Sequence, residues 1–370
     1  MTRTENASWP TNPIAAVTHP EPGPYYRHLA SLPLHFDNEL QCWIAASPRT
    51  VRAVLDCEAL RVRPPHQRVP AHLVDTAAGD LFSRLARMND GDGHHEMRTM
   101  IDQVIASISS QQLERVCEEI ADSFLAAHKH TAAEWMFEYP SQVLAVILDV
   151  ERNQLDSTVG AARLIANAFA PGAANIDGAK LDAAVSEILS TIGNGHLTAL
   201  ARGLLQHKEN AEANLAGWFF QIFDSTAGLI GNSLLAALLS PPMTAERSIV
   251  DNTLRCCPPI QNTRRFAHTD IIIDTEQIRT GDSVLIVLAA ASPDLNATEA
   301  AAYRSSQQTS EPAIAFGSGP HRCPADQIVT TIATHALIQL MKLGHTAELT
   351  GYLPSPNARI PTFQEGTKSQ

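Results

Sequence analysis

The sequence predicts a mainly α-helical protein with a small β part. Three observations support this fold class. Helix-forming segments follow one another from Asp90 onward, and Leu215 to Leu239 is an almost wholly apolar run that would form a central helix on the order of 35 Å long. Strand-like alternation is confined to short stretches. Because neither an internal repeat nor a domain linker interrupts the 370 residues, we expect an irregular N-terminal arm over 1–23 and a single domain over 24–370.

The first part of the chain combines short helices with one hairpin. Pro24 to Leu32 resembles a short helix, and Pro33 to Ala46 alternates in the manner of a β-hairpin. Ser47, with a proline directly behind it, is a typical helix start. Arg61 to Asp75 is basic, contains prolines and lacks a pattern, which is typical of a functional or mobile loop.

Helices dominate from residue 90 to residue 257. Besides the segment that begins near Asp90, predicted helices occupy Ser141–Leu148, Gln154–Phe169, Ala179–Thr191, Leu215–Leu239 and Ala245–Cys257. The pattern then changes, and residues 265–290 are interpreted as a strand, a turn at Thr280–Asp282 and a second strand. An irregular polar segment over 293–312, a helix over Gln327–Lys342 and a tail of short strands complete the prediction.

The central apolar run resembles a membrane span in length only. It contains Asp224 together with the uncharged polar residues Gln221, Ser225, Thr226 and Asn232. A carboxylate in the middle of a span is costly in lipid, whereas a helix buried in a large protein can be apolar on every side. We therefore expect a core helix and no membrane span.

Composition narrows the class of protein. With 44% hydrophobic residues the chain can build a large core, and its formal net charge of −12 argues against a nucleic-acid or anionic-membrane partner. Met1 to Thr18 contains no apolar run, so no secretory signal is expected. The six cysteines include no CxxC pair, which favours a cytoplasmic protein without a zinc site or a disulfide framework.

The segment AFGSGPHRCPAD (Ala315 to Asp326) is the strongest candidate site. Its two glycines allow a tight turn and close approach to a flat ligand. Cys323 directly precedes a predicted helix, where the helix dipole and free amides are expected to lower the thiol pKa. Such a thiolate is either a nucleophile or an axial metal ligand; His321 lies two residues away, but no third partner for nucleophilic catalysis is apparent.

FGSGPHRC resembles the haem-thiolate signature of the cytochrome P450 family. Phe316, Gly317, Gly319, His321 and Cys323 match its fixed positions, and Ala325 stands where a final glycine is usual. The resemblance implies haem b (heme b), with the iron held by the Cys323 thiolate and with Phe316, Gly317 and His321 in the cofactor site. Thiolate ligation donates electron density to iron and favours O–O cleavage.

Two further segments carry the same resemblance. GDGHHEMR is similar to the family's segment in which a histidine and an arginine contact the haem propionates, and His94 and Arg98 would share one helix face. RRFAHTD is similar to the stretch whose arginine pairs with the other propionate, a role that fits Arg265. The similarity runs from Tyr25 to the C-terminus in the family's motif order.

The chain departs from the family at two places. On the central helix, the resemblance assigns a proton relay to Asp224 and Ser225, but Gln221 and Ile222 replace the usual small residues. Before Arg255, Asn252 stands where the family has glutamate. Asp251, four residues before Arg255, is the alternative source of this carboxylate. Arg304 is a candidate for the residue of the family's meander segment that joins the pair.

The resemblance implies a monooxygenase that inserts one oxygen atom from O2 into a small to medium, largely apolar molecule, in a bacterial biosynthetic pathway. Electrons would come from NAD(P)H through a separate partner, such as ferredoxin and ferredoxin reductase, because the chain has no flavin or iron–sulfur motif. Two alternatives stay open. The same scaffold could catalyse rearrangement, dehydration or nitrogen transfer without a reductase, or it could be a non-catalytic haem-bound recruitment module.

Overall fold

A computed structural model describes residues 9–173, 177–193, 195–239, 245–292, 314–344 and 346–366. The mainly α-helical class with a small β part is confirmed. The irregular segment predicted over 293–312, which contains Arg304, lies outside the described residues.

The helices form most of the described structure. In chain order they are α1 (Gly23–Ser31), α2 (Pro48–Leu55), α3 (Ala77–Arg84), α4 (Gly91–Ala106), α5 (Ser110–Ala126), α6 (Tyr139–Ile147), α7 (Leu155–Phe169), α8 (Gly178–Ile192), α9 (His196–Leu204), α10 (Lys208–Leu239), α11 (Glu246–Cys256) and α12 (Asp326–Lys342). A π-helical turn, Glu134–Glu138, leads directly into α6. As predicted, Ser47 caps α2, with its side chain accepting a hydrogen bond from the Thr50 amide.

The strands form one mixed sheet and two hairpins. They are β1 (His35–Asp37), β2 (Cys42–Ala45), β3 (Leu60–Arg61), β4 (Thr263–Ala267), β5 (Ile271–Ile273), β6 (Glu276–Ile278), β7 (Ser283–Ile286), β8 (Thr346–Tyr352) and β9 (Pro361–Gly366). The sheet has the order β1-β2-β7-β4-β3, in which only β2 and β7 run parallel. The hairpin β1–β2 confirms the prediction for Pro33 to Ala46.

Helix α10 is the centre of the main hydrophobic core. It contacts α3, α4, α6, α7, α8, α9, α11 and α12. It is long and apolar enough to span a membrane, but 72% of its most apolar window is buried inside the protein, as expected for a core helix. Two glycines allow close packing: a Cβ at Gly231 would lie 2.6 Å from Pro361 Cγ, and one at Gly228 would lie 2.9 Å from the Arg359 carbonyl oxygen.

Several helix and strand boundaries differ from those expected from the sequence pattern. The central helix begins at Lys208 rather than Leu215, and α3 was not predicted at all. The region 265–290 contains an additional hairpin, β5–β6, whose turn places Asp274 at a φ of 55°. The second half of the N-terminal arm forms a 3-10 turn, Ala15–Thr18, and Arg359 holds it by donating to the carbonyl oxygens of Val17 and His19, each at 2.8 Å.

Candidate haem site

A cavity lies between α4, α10, the start of α12 and the cysteine loop (Phe316 to Cys323). Five of the predicted site residues line it, namely His94, Arg98, Ser225, His321 and Cys323. The other lining residues are Ala86, Arg87, Ile101, Ile105, Leu144, Asn214, Trp218, Gln221, Ile222, Arg322, Pro324, Ala325, Ile328 and Val329.

The cysteine loop is closed by its own backbone. The Cys323 amide donates to the Phe316 carbonyl oxygen at 2.8 Å, and the Gly317 amide donates to Ile314 at the same distance. Gly317 and Gly319 have φ values of 74° and 67°, in the region that glycine adopts without strain. At Gly319 a Cβ would also lie 2.7 Å from the Asp56 carboxylate. Phe316 and Gly317 therefore shape the loop that presents Cys323.

Arg98 fastens this loop to α4. Its Nη1 donates to the carbonyl oxygens of Arg322 at 2.5 Å and Pro320 at 3.1 Å. Its Nε donates to the Asp102 carboxylate at 2.8 Å. Sequence reasoning placed Arg98 beside an anionic ligand; in the structure its guanidinium also holds the backbone on both sides of His321 in place.

His94 and His321 lie against each other at the cavity wall. Their ring centroids are 4.2 Å apart, and His321 Nε2 is 3.1 Å from Asp90 Oδ1. Burial, assisted by the charges of His321 and Arg98, lowers the pKa of His94 to about 4. His94 is consequently neutral at physiological pH, so it can donate a hydrogen bond to a carboxylate but brings no charge.

Burial raises the pKa of the Cys323 thiol and outweighs the hydrogen bond from the Ala325 amide, which lowers it. The expectation that the helix start would lower this pKa is therefore wrong for the thiol itself. Desolvation destabilises the thiolate by more than the hydrogen bonds from the few amides at the end of the loop stabilise it. A coordinated metal deprotonates a thiol outright, so the raised pKa is compatible with a metal ligand and unfavourable for a free nucleophile.

Arg265 lies on β4 and is 7% exposed. Burial lowers the pKa of its guanidinium, and the nearby charge of Asp90 partly opposes this effect. Arg87 is also close enough to lower that pKa. Arg265 is not among the described lining residues of the cavity, but it lies close to Arg87 and Asp90.

The face of α10 toward the cavity carries Trp218, Gln221, Ile222 and Ser225. The Ser225 hydroxyl donates to the Gln221 carbonyl oxygen at 3.1 Å. The Gln221 amide folds over Gly217, where a Cβ would lie 2.5 Å from Nε2. Asp224 is not among the described lining residues; it lies beside Ser225 on the helix, and burial raises the pKa of its carboxyl group.

The donor set fits a haem better than a bare metal ion. Among the described residues, no group of three or more His, Cys, Asp or Glu side chains could hold a metal. Cys323 offers a single sulfur, which suits a metal whose other ligands belong to a macrocycle. Arginines at one end of the cavity suit the acidic edge of a haem.

Two lining residues escaped sequence reasoning. Arg87 lies on the 3-10 turn Ala86–Met88 and gives no motif signal, because a single arginine in a short variable segment is common. Asn214 is a buried polar residue on α10, 2% exposed; its position within a helix of mostly apolar residues was the available signal. In addition, Asp251 forms an ion pair with Arg247 at 3.1 Å, which the i, i+4 argument for Arg255 did not anticipate.

No protein-family model matches the chain. It is 29% identical over 271 residues to cytochrome P450 CYP105Q4 of Mycobacterium marinum, an alignment that spans 65% of this chain and 64% of that relative. It is 26% identical over 345 residues to the mycinamicin VIII C21 methyl hydroxylase of Micromonospora griseorubida, covering 85% and 86% of the two chains. The chain is thus similar to bacterial cytochromes P450, and these relatives support a divergent member of that family.

The structure of epothilone D-bound cytochrome P450epoK superimposes with a TM-score of 0.76 at 19% identity, over 97% of this chain and 98% of that one. This similarity confirms the cytochrome P450 fold. Relatives named as a cytochrome P450 and a hydroxylase indicate an oxidoreductase enzyme, and the P450 family implies a haem whose iron is held by a cysteine thiolate.

Proposed function

We propose that this P450 is a haem-thiolate monooxygenase, with residues 24–370 as its single domain. It inserts one oxygen atom of O2 into a C–H bond or heteroatom of the substrate, and the second atom leaves as water. Each turnover consumes two electrons and two protons. The observation that carries the proposal is that one cavity contains both the lone thiol Cys323 and the hydroxyl-bearing face of α10. The hydroxylase activity in the name of one relative supports it.

The residues of this chain have distinct roles in the proposal. Cys323 is the iron ligand, and Phe316, Gly317 and Arg98 keep its loop in place. His94, His321, Arg98 and Arg265 bind the propionate edge. Bound haem supplies the redox chemistry of oxygen insertion. The lining beyond the loop excludes water because it is largely apolar.

Ser225 and Asp224 are proposed to move protons into the cavity. The Ser225 hydroxyl is both a donor and an acceptor, and it already uses its proton toward the Gln221 carbonyl oxygen. Asp224 is half-buried, and burial raises the pKa of its carboxyl group. This favours the protonated form and suits a group that accepts and releases protons.

The proposed substrate is a small to medium, largely apolar molecule. Ile101, Ile105, Leu144, Trp218 and Ile222 give the lining an apolar character, and such surfaces favour apolar ligands. We place the reaction in a bacterial biosynthetic pathway in the cytoplasm, as the mycinamicin hydroxylase suggests by its name. Electrons come from NAD(P)H through ferredoxin and ferredoxin reductase or a similar donor.

A second candidate function rests on Gln221 and Ile222. Both line the cavity, and α10 continues as an α-helix through them. An amide and a branched side chain leave less room beside Ser225 than small residues would. The same cavity could therefore serve a rearrangement, a dehydration or a nitrogen transfer that needs no external reductant.

The decisive experiment uses protein loaded with haem, NAD(P)H, surrogate ferredoxin and reductase, a substrate library and ¹⁸O-labelled O2. The proposal predicts a product that carries one ¹⁸O atom and requires all three electron-transfer components. Product formation without reductant would favour the second candidate. Haem binding without turnover of any substrate would favour a non-catalytic recruitment module.

A further inference from the structure

Arg87 is a cation that lines the cavity. Burial among the surrounding protein lowers the pKa of its guanidinium, and the nearby Cys323 opposes that effect. Its surface is nevertheless accessible, because it faces the cavity instead of packing against other side chains. Within the described part of the chain, Arg87 forms no hydrogen bond or ion pair.

The backbone around Arg87 is firmly held. The Ala86 amide donates to Asn214 Oδ1 at 2.7 Å, and Asn214 Nδ2 donates to the Arg84 carbonyl oxygen at 3.1 Å. On the other side, Asn89 Nδ2 donates to the Leu85 carbonyl oxygen at 2.7 Å. Three hydrogen bonds with two asparagine side chains therefore fix the turn that carries Arg87 at the cavity, so its position is a built feature of the fold.

The other cations at the cavity already have partners. Arg98 binds Asp102 and two loop carbonyl oxygens, and Arg322 pairs with Asp326. His94 is neutral, and Arg265, which does not itself line the cavity, lies close to Asp90. An isolated buried charge is unfavourable unless an opposite charge joins it. Among the described lining residues, Arg87 is thus the cation that can accept an anionic partner from a ligand.

The haem required by the proposed function brings two carboxylates to this cavity. We propose that Arg87 binds one haem propionate alongside Arg265, in addition to the contacts that His94, His321 and Arg98 make with the propionate edge. The planar guanidinium forms paired hydrogen bonds with a carboxylate. This inference rests on the haem binding of the proposed function. It gives a residue outside the family motifs a role in holding the propionate edge of the haem.

The test is a binding titration of haem-free protein with haemin and with haemin dimethyl ester. Arg87→Gln should weaken the binding of haemin by about tenfold or more and leave the binding of the ester unchanged. Arg87→Lys should give an intermediate loss. The matched control is Arg84→Gln, since the Arg84 side chain pairs with Asp80 outside the cavity; its haemin affinity should equal that of the wild type. Circular dichroism of the haem-free variants checks that each is folded.

Three results would overturn the inference. The first is equal haemin affinity for wild type and Arg87→Gln, and the second is an equal loss with haemin and its ester. The third is a combined result: Arg87→Gln binds haemin as tightly as the wild type, but in spin-state titrations it no longer prefers carboxylic-acid ligands to their methyl esters. That result would assign Arg87 to a substrate carboxylate. Failure of the wild type to bind haemin would refute the proposed function together with the inference, whereas the three results above leave haem binding intact.

Discussion

Removing the Arg98 side chain should loosen the cysteine loop much more than removing its acidic partner. Arg98→Ala deletes two charge-assisted hydrogen bonds to the carbonyl oxygens of Pro320 and Arg322, as well as the pair with Asp102. Hydrogen bonds to a charged group contribute about 1.5–3 kcal/mol each when shielded. The Arg98 side chain is 21% exposed, so we expect a total loss of roughly 2–4 kcal/mol in the free energy of unfolding.

Asp102→Ala is the matched control. It removes only the pair with a carboxylate that is 52% exposed, and exposed pairs contribute about 0–1 kcal/mol. Urea unfolding of the haem-loaded proteins, followed by tryptophan fluorescence, measures both variants, and transfer of haem to an acceptor protein measures cofactor loss. Arg98→Ala should lose haem faster than Asp102→Ala. Equal unfolding free energies and equal transfer rates would refute the role given to Arg98.

Three further predictions concern the core, acid stability and coupling. Gly231→Ala should destabilise the protein by about 1–3 kcal/mol because its Cβ would lie 2.6 Å from Pro361 Cγ. The control Gly160→Ala, in open space on α7, should stabilise the protein by about 0.5–1 kcal/mol. Equal shifts of the urea unfolding midpoint in the two variants would contradict this. Because the His94 pKa is lowered to about 4 from 6.5, the unfolded chain takes up a proton before the folded one, so stability should fall as pH decreases from 6.5 to 4. His94→Asn should flatten that part of the unfolding profile, and an unchanged profile would show that His94 does not titrate as described. Ser225→Ala should release more hydrogen peroxide per NAD(P)H consumed and form less product, and unchanged coupling would exclude Ser225 from proton delivery.

Some parts of the fold and site follow directly from local sequence. The signature residues Phe316 to Cys323 identify the loop because close approach and tight turns require glycine at fixed offsets. The core role of α10 follows from its apolar length and from the cost of Asp224 in lipid. The cap at Ser47 and the hairpin β1–β2 depend on neighbouring residues only.

Other features depend on contacts between distant segments. Arg98 meets carbonyl oxygens more than 220 positions away, so its binding to the loop cannot be inferred from spacing on α4. The thiol pKa of Cys323 is raised because the whole chain buries it, whereas local reasoning considered only the helix start. Arg87 can be recognised as a possible anion-binding residue only when the partners of the surrounding charged side chains are known.

The central claim is that Cys323 provides a thiolate to haem iron. The most direct measurement is the absorption spectrum of the reduced carbon monoxide complex after haemin has been added to the purified protein. The wild type should show the red-shifted band specific to thiolate ligation, and Cys323→Ser should bind haem without that band. A wild-type protein that stays colourless, or a variant that keeps the band, would contradict the claim.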